Sequence, residues 1–278
     1  MFKSYRILIF FILLLGLPIF SKSSIVYSDQ LCNRIDCTEV SRTWESARTY
    51  IQHKGSIKKL SISELSKLME GSHAKPLPLA IYLHGCAGLW EGSDRRGSFL
   101  AKLGFIVIAP DSFARKIKPL SCLPYQFKGG LHRGTLTLRQ EEATYAIENS
   151  MKLDWIQSNK VILVGLSEGG ITTATLKEST STPVLARIIE GWGCHSGWTE
   201  YSGLNSPNNQ PVMSFVGKLD PWFMHPTLQG DCGKFMKNDD SFSIVYSKTP
   251  LSRIHTPLDH KTPKISLERF LHRYVLQK

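Results

Sequence analysis

The segment KVILVGLSEGG, residues 160–170, is the most informative part of this chain. Residues 161–164 are apolar and mostly β-branched, which is typical of a strand buried on both faces. Residues 165–169 then fit the pattern G-x-S-x-G, and residues 171–177 can continue as a helix. Such a strand, sharp turn and helix form a nucleophile elbow, in which glycines leave room for the strained turn. We predict that Ser167 is an exposed nucleophile at the positive end of a helix.

A second glycine-containing turn is also typical of enzymes with a serine nucleophile. Residues 79–83 predict a buried strand, which ends in His-Gly-Cys-Ala-Gly at residues 84–88. Backbone N–H groups in such a turn, with the N–H that follows the nucleophile, form an oxyanion hole. The candidate donors are the amides of Cys86 and Glu168. The alternatives are a simple glycine turn here and, at Ser167, an ordinary serine in a glycine-rich loop.

Strands and helices alternate along most of the chain. Further apolar runs predict strands at residues 105–109, 183–190, 212–216 and 242–246, and helical periodicity predicts helices at residues 98–103, 138–157 and 265–276. This alternation predicts an α/β fold with a mostly parallel central sheet and helices on both faces. The irregular stretch 114–132 follows a strand end, where ligands bind open α/β sheets. It is either a functional loop or a plain surface loop held by a disulfide.

The first 77 residues differ from the rest. Residues 1–23 combine Lys3 and Arg6 with an apolar run and then small residues, which predicts a secretory signal peptide. An uncleaved N-terminal anchor is the alternative. Residues 24–77 are interpreted as an N-terminal segment packed on the domain, with a short helix over 43–52. The main domain is predicted to cover residues 78–278.

The six cysteines fit an exported protein, because an even number in such a chain indicates disulfides. We predict a Cys86–Cys122 bridge, since both residues follow a strand at the same edge of the sheet. Cys194–Cys232 and Cys32–Cys37 are the remaining expected pairs, and buried free thiols are the alternative. No pair has C-x-x-C spacing, so the sequence predicts no metal site of that kind.

A serine nucleophile needs a base and an acid that orients it, and in this arrangement they follow in the order serine, acid, histidine. Asp220 follows a predicted strand and suits the acid, although an aspartate before a proline can simply form a turn. His255 lies nearest the end of the last strand and is the preferred base, with His260 as the alternative. A metal site from His255, Asp259 and His260 is disfavoured, because the two histidines lack i,i+4 spacing.

These motifs give the chain a resemblance to a known family. It resembles the α/β-hydrolase superfamily, and most closely its dienelactone-hydrolase-like branch, from about Leu79 to the C-terminus. Beyond the elbow, the resemblance rests on LHGCAGL at 83–89, FIVIAPDSF at 105–113 and GKLD at 217–220. Dienelactone hydrolases proper use a cysteine nucleophile, whereas this chain has Ser167. The resemblance therefore implies a serine esterase that needs no cofactor and forms an acyl-enzyme.

The expected function is that of an exported, periplasmic or secreted carboxylic-ester hydrolase acting on a small-molecule ester. A peptidase or acyltransferase with the same triad is the alternative, as is a non-catalytic binding protein with this fold. The net charge is +11, but the basic residues are scattered and no RNA-binding motif is present, which argues against a nucleic-acid partner. After cleavage no membrane span is expected, and the oligomeric state is left open.

Overall fold

The computed structural model describes residues 39–70, 75–178 and 183–277. Within these residues, eight strands form one sheet in the order β2-β1-β4-β3-β5-β6-β7-β8. The strands are β1 (Arg48–His53), β2 (Ser56–Ser61), β3 (Leu77–Leu83), β4 (Ile106–Ala109), β5 (Ile156–Leu166), β6 (Ala186–Glu190), β7 (Val212–Gly217) and β8 (Phe242–Tyr246). From β4 to β8 all neighbours in the sheet are parallel, while β1 is antiparallel to both β2 and β4.

Helices cover both faces of this sheet. They are α1 (Glu39–Glu45), α2 (Ile62–Met69), α3 (Glu91–Lys102), α4 (Thr135–Ser150), α5 (Glu168–Thr175) and α6 (Lys261–Leu271). Side chains of α3 and α6 join one apolar cluster, and those of α2 and α4 join another. None of the described helices has both the length and the apolar character needed to cross a bilayer. The predicted signal peptide, residues 1–23, lies outside the described residues.

Strand β3 illustrates why the central strands are continuously apolar. Leu79, Ile81 and Leu83 belong to the cluster that α2 and α4 cover. Ala80 and Tyr82 point the other way and belong to the cluster that α3 and α6 cover. Because successive side chains alternate between two buried faces, every position from 79 to 83 is buried. The prediction of a mostly parallel sheet with helices on both faces is confirmed.

The described part of the predicted N-terminal segment contributes two strands to the sheet, and the rest of residues 24–77 lies outside the described residues. Residues 48–61 form β1 and β2, two strands of the sheet, and are not a segment packed against it. The helix predicted over 43–52 ends at Glu45, and the chain then extends as a strand in which Thr49, Tyr50 and Ile51 are buried. Residues of these types favour strands, and pairing with β4 provides hydrogen bonds that a local helical pattern cannot reveal.

A buried ion pair joins three elements at the C-terminal end of β6. Arg96 of α3 donates from Nε and Nη2 to the carboxylate oxygens of Glu190, both at 2.6 Å. Arg96 also donates to Asp259, and the backbone N–H of Leu258 donates to Glu190 Oε1 at 2.7 Å. Burial alone would lower the pKa of Arg96, but the Glu190 carboxylate raises it above its usual value. Arg96 therefore remains charged, and its hydrogen bonds join α3, β6 and the loop before α6.

Arg96→Ala should lower the free energy of unfolding by about 3–5 kcal/mol, because it leaves the Glu190 carboxylate buried without its charged partner. The neighbouring Arg95 is the matched control, since it also bonds Asp259 but is 39% exposed. Arg95→Ala should cost less than about 1 kcal/mol. Urea unfolding measures both values. Equal losses in the two variants would contradict a special role for the buried pair.

Candidate active site

Ser167 lies in a strained turn between β5 and α5. Its φ angle is +56°, a left-handed value that is unusual for a residue other than glycine. Its N–H donates to the carbonyl of Glu190 at 2.8 Å. A Cβ at Gly165 would lie 2.0 Å from the carbonyl oxygen of Gly169, and one at Gly169 would lie 2.0 Å from that of Leu83. Only glycine fits at these two positions, so the G-x-S-x-G pattern is a steric requirement of this turn.

The structure brings Asp220 and His255 together. Asp220 follows β7 and His255 follows β8, and Nδ1 of the histidine lies 2.7 Å from Oδ2 of the aspartate. The aspartate side chain is 0% exposed and that of the histidine 14%. Asp220 Oδ1 also accepts from the N–H of Trp222 at 3.0 Å, which orients the carboxylate. A proton on Nδ1 then leaves Nε2 as the acceptor, and Nε2 has no hydrogen-bond partner in the described part of the chain.

Aromatic side chains hold the His255 ring in this position. Trp222 stacks on it with ring centroids 5.0 Å apart, and Phe223 lies at 5.5 Å. On another side, a Cβ at Gly191 would lie 3.3 Å from the ring. His260, the alternative base, instead precedes α6, and its carbonyl accepts from the N–H of Lys264. Of the two candidate histidines, His255 is therefore the one paired with Asp220.

The predicted oxyanion turn passes directly beside Ser167. It is closed by a hydrogen bond from the N–H of Gly88 to the carbonyl of Gly85, at 3.1 Å. A Cβ at Gly85 would lie 3.4 Å from Cβ of Ser167. The N–H groups of Cys86 and Glu168 have no acceptor among the described residues. Both are thus available to a developing negative charge on a substrate oxygen.

His84, the first residue of this turn, is fully buried and bonds to the turn through its ring. Its Nδ1 lies 2.7 Å from the carbonyl of Gly85, and Nε2 accepts from the N–H of Ser112 at 3.1 Å and from Arg139 Nη1 at 3.0 Å. Arg139 also donates to the His84 carbonyl at 2.7 Å. Burial and the Arg139 charge lower the pKa of His84 well below its usual value. His84 is therefore neutral and acts on the shape of the turn.

Two disulfides are present among the described residues. Cys86 of the predicted oxyanion turn is bonded to Cys122, with Cα atoms 5.9 Å apart. A second bond joins Cys194 to Cys232, with Cα atoms 4.9 Å apart. These are two of the pairs expected from the sequence. The third pair, Cys32 and Cys37, lies outside the described residues.

A polar contact that the sequence did not predict reinforces the first disulfide. The hydroxyl of Ser121 donates to Oε2 of Glu168, and Arg139 Nε lies 3.7 Å from the other carboxylate oxygen. Burial raises the pKa of Glu168, while the Arg139 charge opposes this shift. Ser121 and Cys122 therefore connect the loop after β4 to both proposed oxyanion donors. Arg139, a polar residue inside an apolar helical pattern, was the one signal in the sequence for this network.

A cavity of about 240 Å³ opens beside Ser167. Cys86 and Glu168 line it together with the serine, and Gly129 and Gly130 of the loop after β4 form another part of its wall. The remaining wall is mostly apolar and aromatic, and includes Ile171, Trp192, Trp198, Tyr201, Trp222, Phe223 and Leu228. The cavity can therefore hold an apolar group attached to a carbonyl at Ser167. The sequence did not reveal this wall, because its aromatic residues come from separate loops.

No metal-binding cluster accompanies these groups in the part of the chain that the structure describes. Asp259, one member of the disfavoured metal set, bonds Arg95 and Arg96 instead. Its carboxylate is thus engaged with guanidinium groups next to the buried pair with Glu190. His255 is bonded to Asp220 on its Nδ1 side.

Comparisons with known proteins identify relatives by structure alone. No protein-family model matches the chain, and no curated protein matches its sequence. A protein from Klebsiella pneumoniae assigned as a dienelactone hydrolase is 16% identical, with a TM-score of 0.51 over 84% of this chain and 98% of that one. An acetyl xylan esterase from Paenibacillus sp. R4 is 14% identical, with a TM-score of 0.51 over 73% and 77%. A carboxylesterase from a metagenomic library is 12% identical, with a TM-score of 0.50 over 89% and 96%.

Removing either disulfide should lower the free energy of unfolding by a similar amount, but only the Cys86–Cys122 bond should affect the backbone near Ser167. They span similar separations, 36 and 38 residues, so removing either should cost about 4 kcal/mol in the chain-entropy model. Cys86→Ala/Cys122→Ala should also speed hydrogen exchange of the amides at 84–88, whereas the matched Cys194→Ala/Cys232→Ala should not. Urea unfolding and amide exchange measure the two effects. Unchanged exchange at 84–88 in the first variant would contradict this role.

Proposed function

We propose that this chain, which has the α/β-hydrolase fold, is a serine hydrolase that cleaves carboxylic esters through Ser167, His255 and Asp220. The main support is the 2.7 Å pairing of His255 Nδ1 with Asp220, because it leaves Nε2 as an unbonded base. Trp222 and Phe223 contact this ring and also line the cavity that contains Ser167. These two aromatic side chains connect the His255 ring, and Asp220 behind it, to the cavity of Ser167, which supports the roles of nucleophile, base and orienting acid.

The reaction follows from these roles. His255 Nε2 accepts the proton of the Ser167 hydroxyl while the serine oxygen bonds to the ester carbonyl carbon, and the Asp220 carboxylate stabilises the imidazolium. The amides of Cys86 and Glu168 donate to the resulting oxyanion. His255 then returns the proton to the departing alkoxide, and an acyl-serine remains. Water, deprotonated by the same nitrogen, attacks this ester and releases the carboxylic acid and the free serine.

The cavity wall supports an ester with a small, apolar acyl group. Five aromatic side chains border about 240 Å³ of space, which suits a flat or ring-sized group. Charged substituents would lose hydration there without a matching partner, apart from the Glu168 carboxyl group. We therefore expect apolar and aryl acyl esters to be better substrates than esters of charged acids of the same size.

The two disulfides support a site of action outside the cytoplasm, because such bonds persist in oxidising compartments. The proposed signal peptide at residues 1–23 is consistent with this location. The protein would thus act as an exported esterase, in the periplasm or the medium.

Ser167→Ala should abolish covalent labelling by a fluorophosphonate probe, since the probe reacts only with an activated serine hydroxyl. Ser196, another serine of the same cavity, provides the matched control. Ser196→Ala should retain labelling, as detected by gel fluorescence and intact-protein mass. Persistent labelling of folded Ser167→Ala would refute the nucleophile.

His255→Ala should lower kcat for p-nitrophenyl butyrate by about 10³-fold or more, as loss of a triad member does. His260→Ala should change kcat by less than about tenfold, because His260 is not the histidine bonded to Asp220. Circular dichroism checks that both variants are folded. The reverse pattern would transfer the role of base to His260 and leave the proposed nucleophile in place.

A further inference from the structure

The loop after β4 also presents a large apolar area to solvent. Six large apolar side chains are exposed on it: Ile117, Leu120, Leu123, Tyr125, Phe127 and Leu131. They make up half of the large exposed apolar side chains in the described ranges. Ile117 is 85% exposed and Tyr125 fully so. We call residues 116–133 with these side chains the outer loop surface. So much apolar exposure in one segment indicates an interaction surface.

The outer loop surface is also basic. No aspartate or glutamate occurs anywhere from residue 112 to 140. Arg115 and Arg133 lie in this stretch, but they are paired with Glu142 and Glu200 from other elements. The lysines at 116, 118 and 128 are exposed among the apolar side chains. Positive charge and apolar area therefore occupy the same surface.

The surface has a defined backbone. Leu123 and Lys128 exchange backbone hydrogen bonds at 2.7 and 3.3 Å, and the N–H of Leu131 donates to the carbonyl of Ser121 at 2.9 Å. The Cys86–Cys122 bond attaches the loop to the oxyanion turn. The apolar side chains are thus presented by a cross-linked loop, and they do not fold back into the core.

The inner side of the same loop belongs to the candidate active site. Gly129 and Gly130 line the cavity. Phe127, which is half exposed, contributes to both sides of the loop, because its ring packs edge-on against Trp222 with centroids 6.1 Å apart. Trp222 in turn stacks on His255. A surface that contacts the outer side of the loop therefore lies next to the cavity that contains Ser167.

We propose that the outer loop surface binds an anionic lipid bilayer and brings the cavity to esters held in it. The part of the proposal in which the substrate esters come from the bilayer rests on the proposed function, whereas binding to the bilayer does not. In an anionic bilayer, phosphate groups lie directly above hydrocarbon. Lysines can therefore bind the phosphates while the apolar side chains between them enter the hydrocarbon. A protein partner would need apolar groups and carboxylates at positions matched to this loop, whereas an anionic bilayer supplies both at any register.

Binding is tested with the Ser167→Ala chain, so that no catalysis is involved. Sedimentation with vesicles of phosphatidylcholine containing 30% phosphatidylglycerol should recover the protein, and pure phosphatidylcholine vesicles should recover at least tenfold less. Raising the salt from 0.1 to 0.5 M should weaken binding, because screening shortens the range of the lysine charges. Equal recovery on both vesicles, or on neither, would overturn the proposal.

Two triple variants test whether the lysines of the loop, and not the net charge of the chain, account for vesicle binding. Lys116→Gln/Lys118→Gln/Lys128→Gln should bind anionic vesicles roughly 100-fold more weakly, at about fivefold for each lysine near the surface. The matched control is Lys54→Gln/Lys102→Gln/Lys152→Gln, which removes the same charge from exposed positions near the opposite strand ends. The control should bind nearly as well as the parent. Equal losses in the two triple variants would overturn the proposal.

The apolar part of the surface has its own test. Ile117→Ser/Leu120→Ser/Tyr125→Ser should weaken vesicle binding at least tenfold, while Ile265→Ser, an exposed apolar site on α6, should not. Both variants should hydrolyse soluble p-nitrophenyl butyrate at the parent rate. If the parent forms a dimer that the loop variant dissociates, a second copy covers the surface and the proposal is wrong. An inactive parent that still binds vesicles would refute the proposed function alone.

Discussion

The Glu190 residue links the two halves of the candidate site through its backbone and its side chain. Its carbonyl accepts from the N–H of Ser167, and its carboxylate pairs with Arg96 and accepts from the N–H of Leu258, three residues after His255. Glu190, at the end of strand β6, therefore holds both the turn at Ser167 and the loop that carries His255. A buried charge fixes geometry because its hydrogen bonds are directional and costly to leave unmade.

A second buried polar group fixes the other side of Ser167. Arg139 holds the His84 carbonyl and ring and lies near Glu168, and Glu142 accepts from Ser112 and Arg115. These side chains are buried, so each depends on its partners for the hydrogen bonds that water would otherwise supply. Apolar packing alone would tolerate small shifts of the turn at residues 84–88, whereas the directional hydrogen bonds of this network specify its position. The site thus lies between two polar networks within an apolar core.

The sequence predicted the parts that depend on local patterns. The central strands were apparent because burial on both faces requires unbroken apolar runs, as at residues 79–83. The elbow was apparent because the turn at Ser167 tolerates only glycine at 165 and 169. By contrast, Trp44, Ala47 and Ile51 have helical spacing, and only pairing with β4 makes part of that segment a strand. The Arg96–Glu190 pair joins residues 94 positions apart, and no local pattern indicates it.

The loop after β4 faces opposing physical demands. Its inner side forms the cavity wall, while its outer side exposes apolar groups that the hydrophobic effect would drive inward. Cross-strand hydrogen bonds between Leu123 and Lys128 and the bond from Cys122 to Cys86 restrain the loop against that collapse. The same disulfide attaches the loop to the predicted oxyanion turn at Cys86. The disulfide thereby makes the exposed apolar surface and the proposed oxyanion donor parts of one cross-linked unit.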